Sequence, residues 1–169
     1  MFTTKNQMKE VTVSIHYTEV MELKELPAAQ QQLLTEAKKA LEDAYAPYSN
    51  FRVGAAALLE NGTVIKGSNQ ENASSPVGIC AERVTLSAAS AMYPGVAIVA
   101  IAISAKAYDR VLDQPVSPCG LCRQTLLEYE ERFNHPIEII LRGETGKIIS
   151  ISSAKELLPL SFGKGNLKG

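Results

Sequence analysis

Hydrophobic and polar positions recur along this chain with two different periods, and the switches between them mark out the elements. In "VTVSIHY", Val11, Val13, Ile15 and Tyr17 fall on one face and Thr12, Ser14 and His16 on the other, the period-two pattern of a half-buried strand. From Pro27 to about Ala44 the period lengthens. Leu33, Leu34, Ala37, Ala40 and Leu41 form one stripe, which predicts a helix with proline in its first turn. "FRVGAAALLENGTVIKGSNQ" carries two apolar runs around Asn61-Gly62, a strong signal for a tight turn between antiparallel strands. "PVGICAERVTLSAASAMYPG" reads as a loop leading into a helix that Pro94-Gly95 stops. The run "AIVAIAISA" is apolar throughout, as expected of a central strand covered on both faces.

"PCGLCRQTLLEYEERF" predicts another helix, with Pro118 in its first turn. The strands "IEIILR" and "KIISIS" follow, joined only by "GETG". A parallel crossover needs a much longer connection, so this pair is antiparallel. A short helix, "SAKELL", precedes the tail "PLSFGKGNLKG". Together these elements predict one α/β domain, a single mixed sheet flanked by helices.

Composition adds limits more than detail. At 169 residues, 46% hydrophobic and 21% charged, the chain has the make-up of one ordinary domain with a real core. A net charge of -1 supplies no field that would draw it to nucleic acid or an anionic membrane. No apolar run approaches the roughly 20 residues that span a bilayer, and "MFTTKNQMKEVTVS" has no signal-peptide core. A cytoplasmic protein is therefore expected. Three cysteines, an odd number, argue against a disulfide framework.

Those cysteines carry the candidate chemistry, because all three stand at helix starts: Cys80 in "GICAER", Cys119 and Cys122 in "SPCGLCRQ". Cys119 and Cys122, three apart, share a helical face and can grip one ion. Helix N-termini stabilise thiolates. A redox pair would leave Cys80 without a role. A closed structural zinc site needs a fourth ligand, for which only His16 and His135 are available, and both read as surface residues. Three buried apolar cysteines without metal are a further bland reading. The functional reading is zinc with three protein ligands and an open fourth position. Residues two apart do not face each other within a helix, so Glu82 can join Cys80 in one site only if Cys80 is the first residue, with loop geometry. Taken alone, Glu82 reads first as a dipole-favoured surface residue.

The combination C-A-E-R then P-C-x-x-C resembles the cytidine deaminase family, in its small homotetrameric, nucleoside-acting branch. This is the zinc-deaminase signature with a third thiolate in place of histidine, a motif recognised and not deduced. The likeness runs from about Ala37 to Asn166 through "AYAPYSNFRVGAA", "NQENASSPVGICAER", "SPCGLCRQTL" and "ELLPLSFG". It implies a three-layer α/β/α fold with a mixed five-stranded sheet, the last two strands antiparallel, plus an extra N-terminal strand. Residues 1–26 would be an N-terminal extension and 27–169 the family core. The resemblance implies that Cys80, Cys119 and Cys122 hold one zinc ion, while Glu82 moves protons between water, the pyrimidine ring and departing ammonia. Asn69 and Glu71 would hydrogen-bond the ribose, Phe51 would pack on the base, and the Ala81 backbone would read its edge. Ala73 and Phe162 would complete a neighbouring subunit's pocket in a homotetramer. By residue type alone, Phe51 and Phe162 read as ordinary packing.

Three thiolates on a divalent ion leave a charge of -1, which Arg83, Arg123 and the two helix N-termini could offset. Ser75 stands where the family commonly has an aromatic residue facing the sugar. The expected activity is deamination of cytidine and 2'-deoxycytidine in pyrimidine salvage. Rival readings are the same chemistry on another small substrate, such as a nucleoside antibiotic or a free base, a nucleic-acid deaminase, and a non-catalytic zinc module for protein contacts. The last of these would explain the cysteines but not Glu82 or "NQEN".

Overall fold

The computed structural model describes residues 8–167, so whatever rests on residues 1–7 of the N-terminal reading lies outside them. Six strands form one mixed sheet in the order β1-β6-β5-β4-β2-β3. They are β1 (Thr18–Val20), β2 (Phe51–Leu59), β3 (Val64–Ser68), β4 (Ile98–Ala107), β5 (Glu138–Arg142) and β6 (Ile148–Ile151). Helix α1 (Ala28–Ala40) covers one face of the sheet, and α2 (Ala81–Met92) and α3 (Gly120–Phe133) cover the other. The architecture is the expected α/β/α sandwich, with five strands plus one from the N-terminal segment.

Alternation along each strand assigns its side chains to the two layers. Ala55, Ala57, Ile101, Ile103, Ile139 and Leu141 pack with Leu86 of α2 and Leu126 of α3. Their neighbours Ala56, Ala100, Ala102 and Ile140 pack with Leu33, Leu34 and Ala37 of α1. The α1 face is paved mostly with alanine, so this helix lies close to the sheet. At Gly54 the approach is closest: a Cβ there would sit 2.2 Å from the Ala37 carbonyl oxygen and 2.7 Å from the Leu41 nitrogen. Only glycine fits.

The hairpin turns where Asn61-Gly62 predicts, with Gly62 at φ +83 and Leu59 bonded to Thr63. β5 and β6 are antiparallel, as their short joint requires. β4 and β5, joined through α3, are parallel.

The N-terminal strand needs correction. Val11–Tyr17 forms no ladder; pairing begins at Thr18, which faces Ser150 of β6. The cause is the length of the partner. β6 ends at Ile151, so by this register only Tyr17 of the alternating stretch could still face it. Val11, Val13, Ile15 and Tyr17 remain at least half exposed. Period two reported a segment able to be a strand, not the presence of a strand beside it.

Candidate active site

Topology brings the three cysteines together. α2 runs back into β4 and α3 into β5 through short turns, so each helix is antiparallel to the strand it feeds. Because β4 and β5 are parallel, both helix N-termini emerge at the same edge, beyond the carboxyl ends of the strands. That is where open α/β sheets place their ligands.

Cys80 and Cys119 are the N-cap residues of α2 and α3, both in extended conformation, with φ near -69 and -68. Cys80 thus has the loop geometry that lets Glu82 share its site. Pro118 lies just before the N-cap instead of inside the first turn. N-cap and third-position side chains meet across a first turn, the relation used by capping boxes. It joins Cys119 to Cys122, whose sulfurs are 3.5 Å apart. The same spacing brings Arg83 against Cys80. Neither cysteine cap accepts a backbone N–H of its helix, so the sulfurs are left to one another and to a shared ligand.

Cys80 Sγ lies 3.8 Å from Cys119 Sγ, and all three sulfurs fall within 4.8 Å of one another. Tetrahedral thiolates at a Zn–S distance near 2.3 Å are separated by about 3.8 Å, so the donor set fits zinc. His16 and His135 are not in the cluster: the His16 backbone donates to Glu156, and His135 Nδ1 lies against the Pro136 carbonyl. Among the described residues the site has three protein ligands.

Electrostatics support a cation there. Cys80 is lowered to about 5, first by the hydrogen bond from Cys122 and then by Cys119 and Arg83, against the opposing effect of burial. Cys122 is pushed up, because it supplies the shared proton and is itself buried. Three thiols this close cannot all ionise without a positive charge among them.

Arg83 keeps its charge against burial because Cys80 and Cys122 hold it. It also donates to the Gly78 carbonyl at 3.2 Å, while its Nε is buried without a hydrogen-bond partner. Arg123 does something different from what its position beside Cys122 suggests. Its guanidinium donates to the carbonyls of Pro118 (2.8 Å) and Leu157 (3.2 Å), clamping the lead-in of α3 to the C-terminal turn.

Glu82 is 5% exposed, so it is not a surface residue. Burial, more than any other influence, raises its pKa, and the Cys80 charge adds to this. Beside the cluster lies a cleft of about 500 Å³ lined by Asn69, Glu71, Ala73, Ser75 and Cys80, together with Tyr48. Glu71 accepts from the backbone of Tyr48 (2.8 Å) and Ser49 (3.2 Å) and from the Ser49 hydroxyl, which holds its pKa below the usual carboxylate range. Asn69 bridges two backbone groups of β2, accepting from Val53 (2.8 Å) and donating to Phe51 (2.9 Å).

Ala81 is fully buried behind Cys80. Phe51 lines a separate hollow with Ala107 and Tyr108. Phe162 is 58% exposed and touches α3 through a bond from Gln124 to its carbonyl. The sequence reading missed Ser49 and Tyr48 as supports of Glu71. Their contact arises from two loops lying side by side, Tyr45 bonding Asn69 and Glu71, and no local pattern announces it.

Comparison with known proteins agrees with this geometry. A family model described as the cytidine and deoxycytidylate deaminase zinc-binding region matches residues 27–133. The cytidine deaminase of Sporosarcina psychrophila is 39% identical over 137 residues, 81% of this chain and 93% of that protein. The cytidine deaminase of Halalkalibacterium halodurans is 45% identical over 133 residues, 78% and 92% of the two chains. The crystal structure of cytidine deaminase from Burkholderia pseudomallei superposes with a TM-score of 0.67 at 41% identity, covering 78% of this chain and 97% of the other.

Proposed function

This chain belongs to the cytidine deaminase family, and on that premise we propose how its side chains divide the work. It is a zinc-dependent cytidine deaminase, a hydrolase that exchanges the exocyclic amine of a cytosine nucleoside for oxygen and releases ammonia. The observation that carries the residue assignment is the convergence of Cys80, Cys119 and Cys122 with the buried carboxyl of Glu82. The three cysteines hold the metal. When bound, zinc supplies Lewis acidity and a water whose pKa is brought near neutrality.

Glu82 is the proton carrier. Its carboxylate takes a proton from the attacking water, delivers it to the ring nitrogen, and later carries the proton of the added hydroxyl to the amine, which leaves as ammonia. Burial suits it to this, because a carboxyl whose pKa is raised holds and releases a proton nearer neutral pH. Arg83 offsets the charge of the three thiolates. Glu71 and Asn69 bind the ribose. Glu71 already accepts three hydrogen bonds, but a carboxylate offers about four lone-pair sites, so one remains for a sugar hydroxyl. Asn69 likewise keeps an N–H beyond its bond to Phe51. The Ala81 backbone reads the base edge, and Phe51, from the hollow it shares with the Glu71 partner Ser49, packs on the base.

Cytidine and 2'-deoxycytidine are the proposed substrates, in pyrimidine salvage within the cytoplasm. Residues 27–169 form the catalytic core and 1–26 an extension. We take the assembly to be a homotetramer in which Phe162, and Ala73 besides lining its own chain's cleft, complete a neighbour's pocket. In support, Phe162 is exposed and does not line the cleft of its own chain.

The test is metal analysis of the purified protein, together with ammonia release from cytidine, deoxycytidine, cytosine and dCMP. One zinc per chain with turnover of the two nucleosides is expected. Zinc without turnover on any of the four would favour a binding module and overturn the reading.

A further inference from the structure

The segment before β1 is unused by the catalytic site, and it exposes an apolar row. Met8, Val11, Val13, Ile15 and Tyr17 are all at least half exposed, in a stretch rich in the β-branched residues that favour strands. It leads directly into β1, which is the edge of the sheet and pairs on one side only. Such an edge is a template for another strand, and proteins usually blunt it with charge or proline. Between Val11 and Thr18 there is no proline and no Lys, Arg, Asp or Glu, and His16 lies beside Glu156.

We propose that this segment pairs antiparallel with the same segment of a second copy of the chain, about a twofold axis at Ser14. The sequence is self-complementary about that point. Val13 then faces Ile15 of the partner subunit, Val11 faces the partner's Tyr17, and Thr12 faces the partner's His16. Further out, Lys9 meets the partner's Glu19 on both sides of the axis, and Met8 meets the partner's Val20. Opposite residues in an antiparallel pair share a face, so apolar meets apolar and opposite charges meet. Glu19 already holds Lys147, and a carboxylate can accept from a second cation as well.

Neighbouring registers are worse. Centring on Val13 sets Lys9 against Tyr17, and centring on Ile15 sets Glu10 against Val20. A twofold contact is closed, so each segment takes one partner segment and no more. Through β1 it extends the sheet of each chain by the partner's strand, the mode called β-augmentation. This contact is at the opposite sheet edge from β3 and the cleft that follows it, so it is independent of any shared pocket.

The experiment uses the zinc-loaded full chain, so that the native thiols stay ligated. Residues opposite each other across an antiparallel pair have Cα atoms about 4.5–5.5 Å apart, within disulfide range. With oxidised glutathione, Ser14→Cys should cross-link between chains at least tenfold faster than Thr12→Cys or His16→Cys alone. The double variant Thr12→Cys/His16→Cys should cross-link like Ser14→Cys. Cross-linking of Ser14→Cys no faster than the single flanking variants overturns the proposal. Independently, adding Ile15→Lys to Ser14→Cys should slow that cross-link at least tenfold and leave turnover of cytidine unchanged. An unslowed cross-link also overturns it.

Discussion

Replacing Glu82 by glutamine keeps the shape of a buried side chain and removes its ability to carry a proton. General acid–base catalysis contributes about 10²–10⁴ in rate. The upper end applies here because no described residue can take over. Arg83 is permanently charged, the cysteines are committed to the metal, and Glu71 is engaged by Ser49 and the Tyr48 backbone. A loss of about 10⁴ in kcat corresponds to about 5.4 kcal/mol of transition-state stabilisation.

Stability should move the other way. Burial raises the Glu82 pKa, so above the ordinary carboxylate range the charged form destabilises the metal-free fold, and glutamine removes that burden. The metal-free Glu82→Gln protein should therefore melt at or above the wild-type temperature at neutral pH. The assay follows ammonia release from cytidine under saturation, with zinc measured on the same sample and melting on a metal-free one. Turnover within tenfold of wild type with zinc at full occupancy would refute the proton-carrier role. Loss of zinc would refute the separation of carrier from ligands.

Arg83→Gln should leave circular dichroism unchanged but lower turnover by about an order of magnitude, since it removes the cation offsetting the thiolates; thiol titration of the metal-free protein should show Cys80 rising only part of the way, because the hydrogen bond from Cys122, the larger cause of its lowering, remains. Glu71→Gln should raise KM on the order of tenfold with kcat little altered. Because the Glu71 pKa is lowered, its loop contact is fully present above the ordinary carboxylate pKa and is lost as pH falls through the depressed one. KM should accordingly stay flat on acidification until pH is below the usual carboxylate range. Gly54→Ala, with a Cβ 2.2 Å from the Ala37 carbonyl, should destabilise the fold by about 3 kcal/mol, or roughly 6–12 °C in Tm; an unchanged melting curve would show that α1 can yield.

What the sequence determined by itself was local. Period and punctuation placed the three helices, the Asn61-Gly62 hairpin and the antiparallel end of the sheet, because these depend on residues close along the chain. The spacing Cys119-x-x-Cys122 was enough to make a pair, since a helix brings third neighbours together. What lay between distant segments was not legible. The strand pattern of Val11–Tyr17 could not reveal that β6 stops at Ile151. The adjacency of Arg123 to Cys122 could not reveal that its guanidinium clamps two backbone carbonyls. Nor could "PYSNF" show that Ser49 steadies Glu71, 22 residues away. The motifs named the three cysteines of the site in advance, but not how the fold assembles them. Cys80 and Cys119 are 39 residues apart, and they meet only because β4 and β5 run parallel while each is fed by an antiparallel helix. Two helix N-termini are thereby delivered to one edge of the sheet, where their unpaired N–H groups favour thiolates and a buried carboxyl stands beside them.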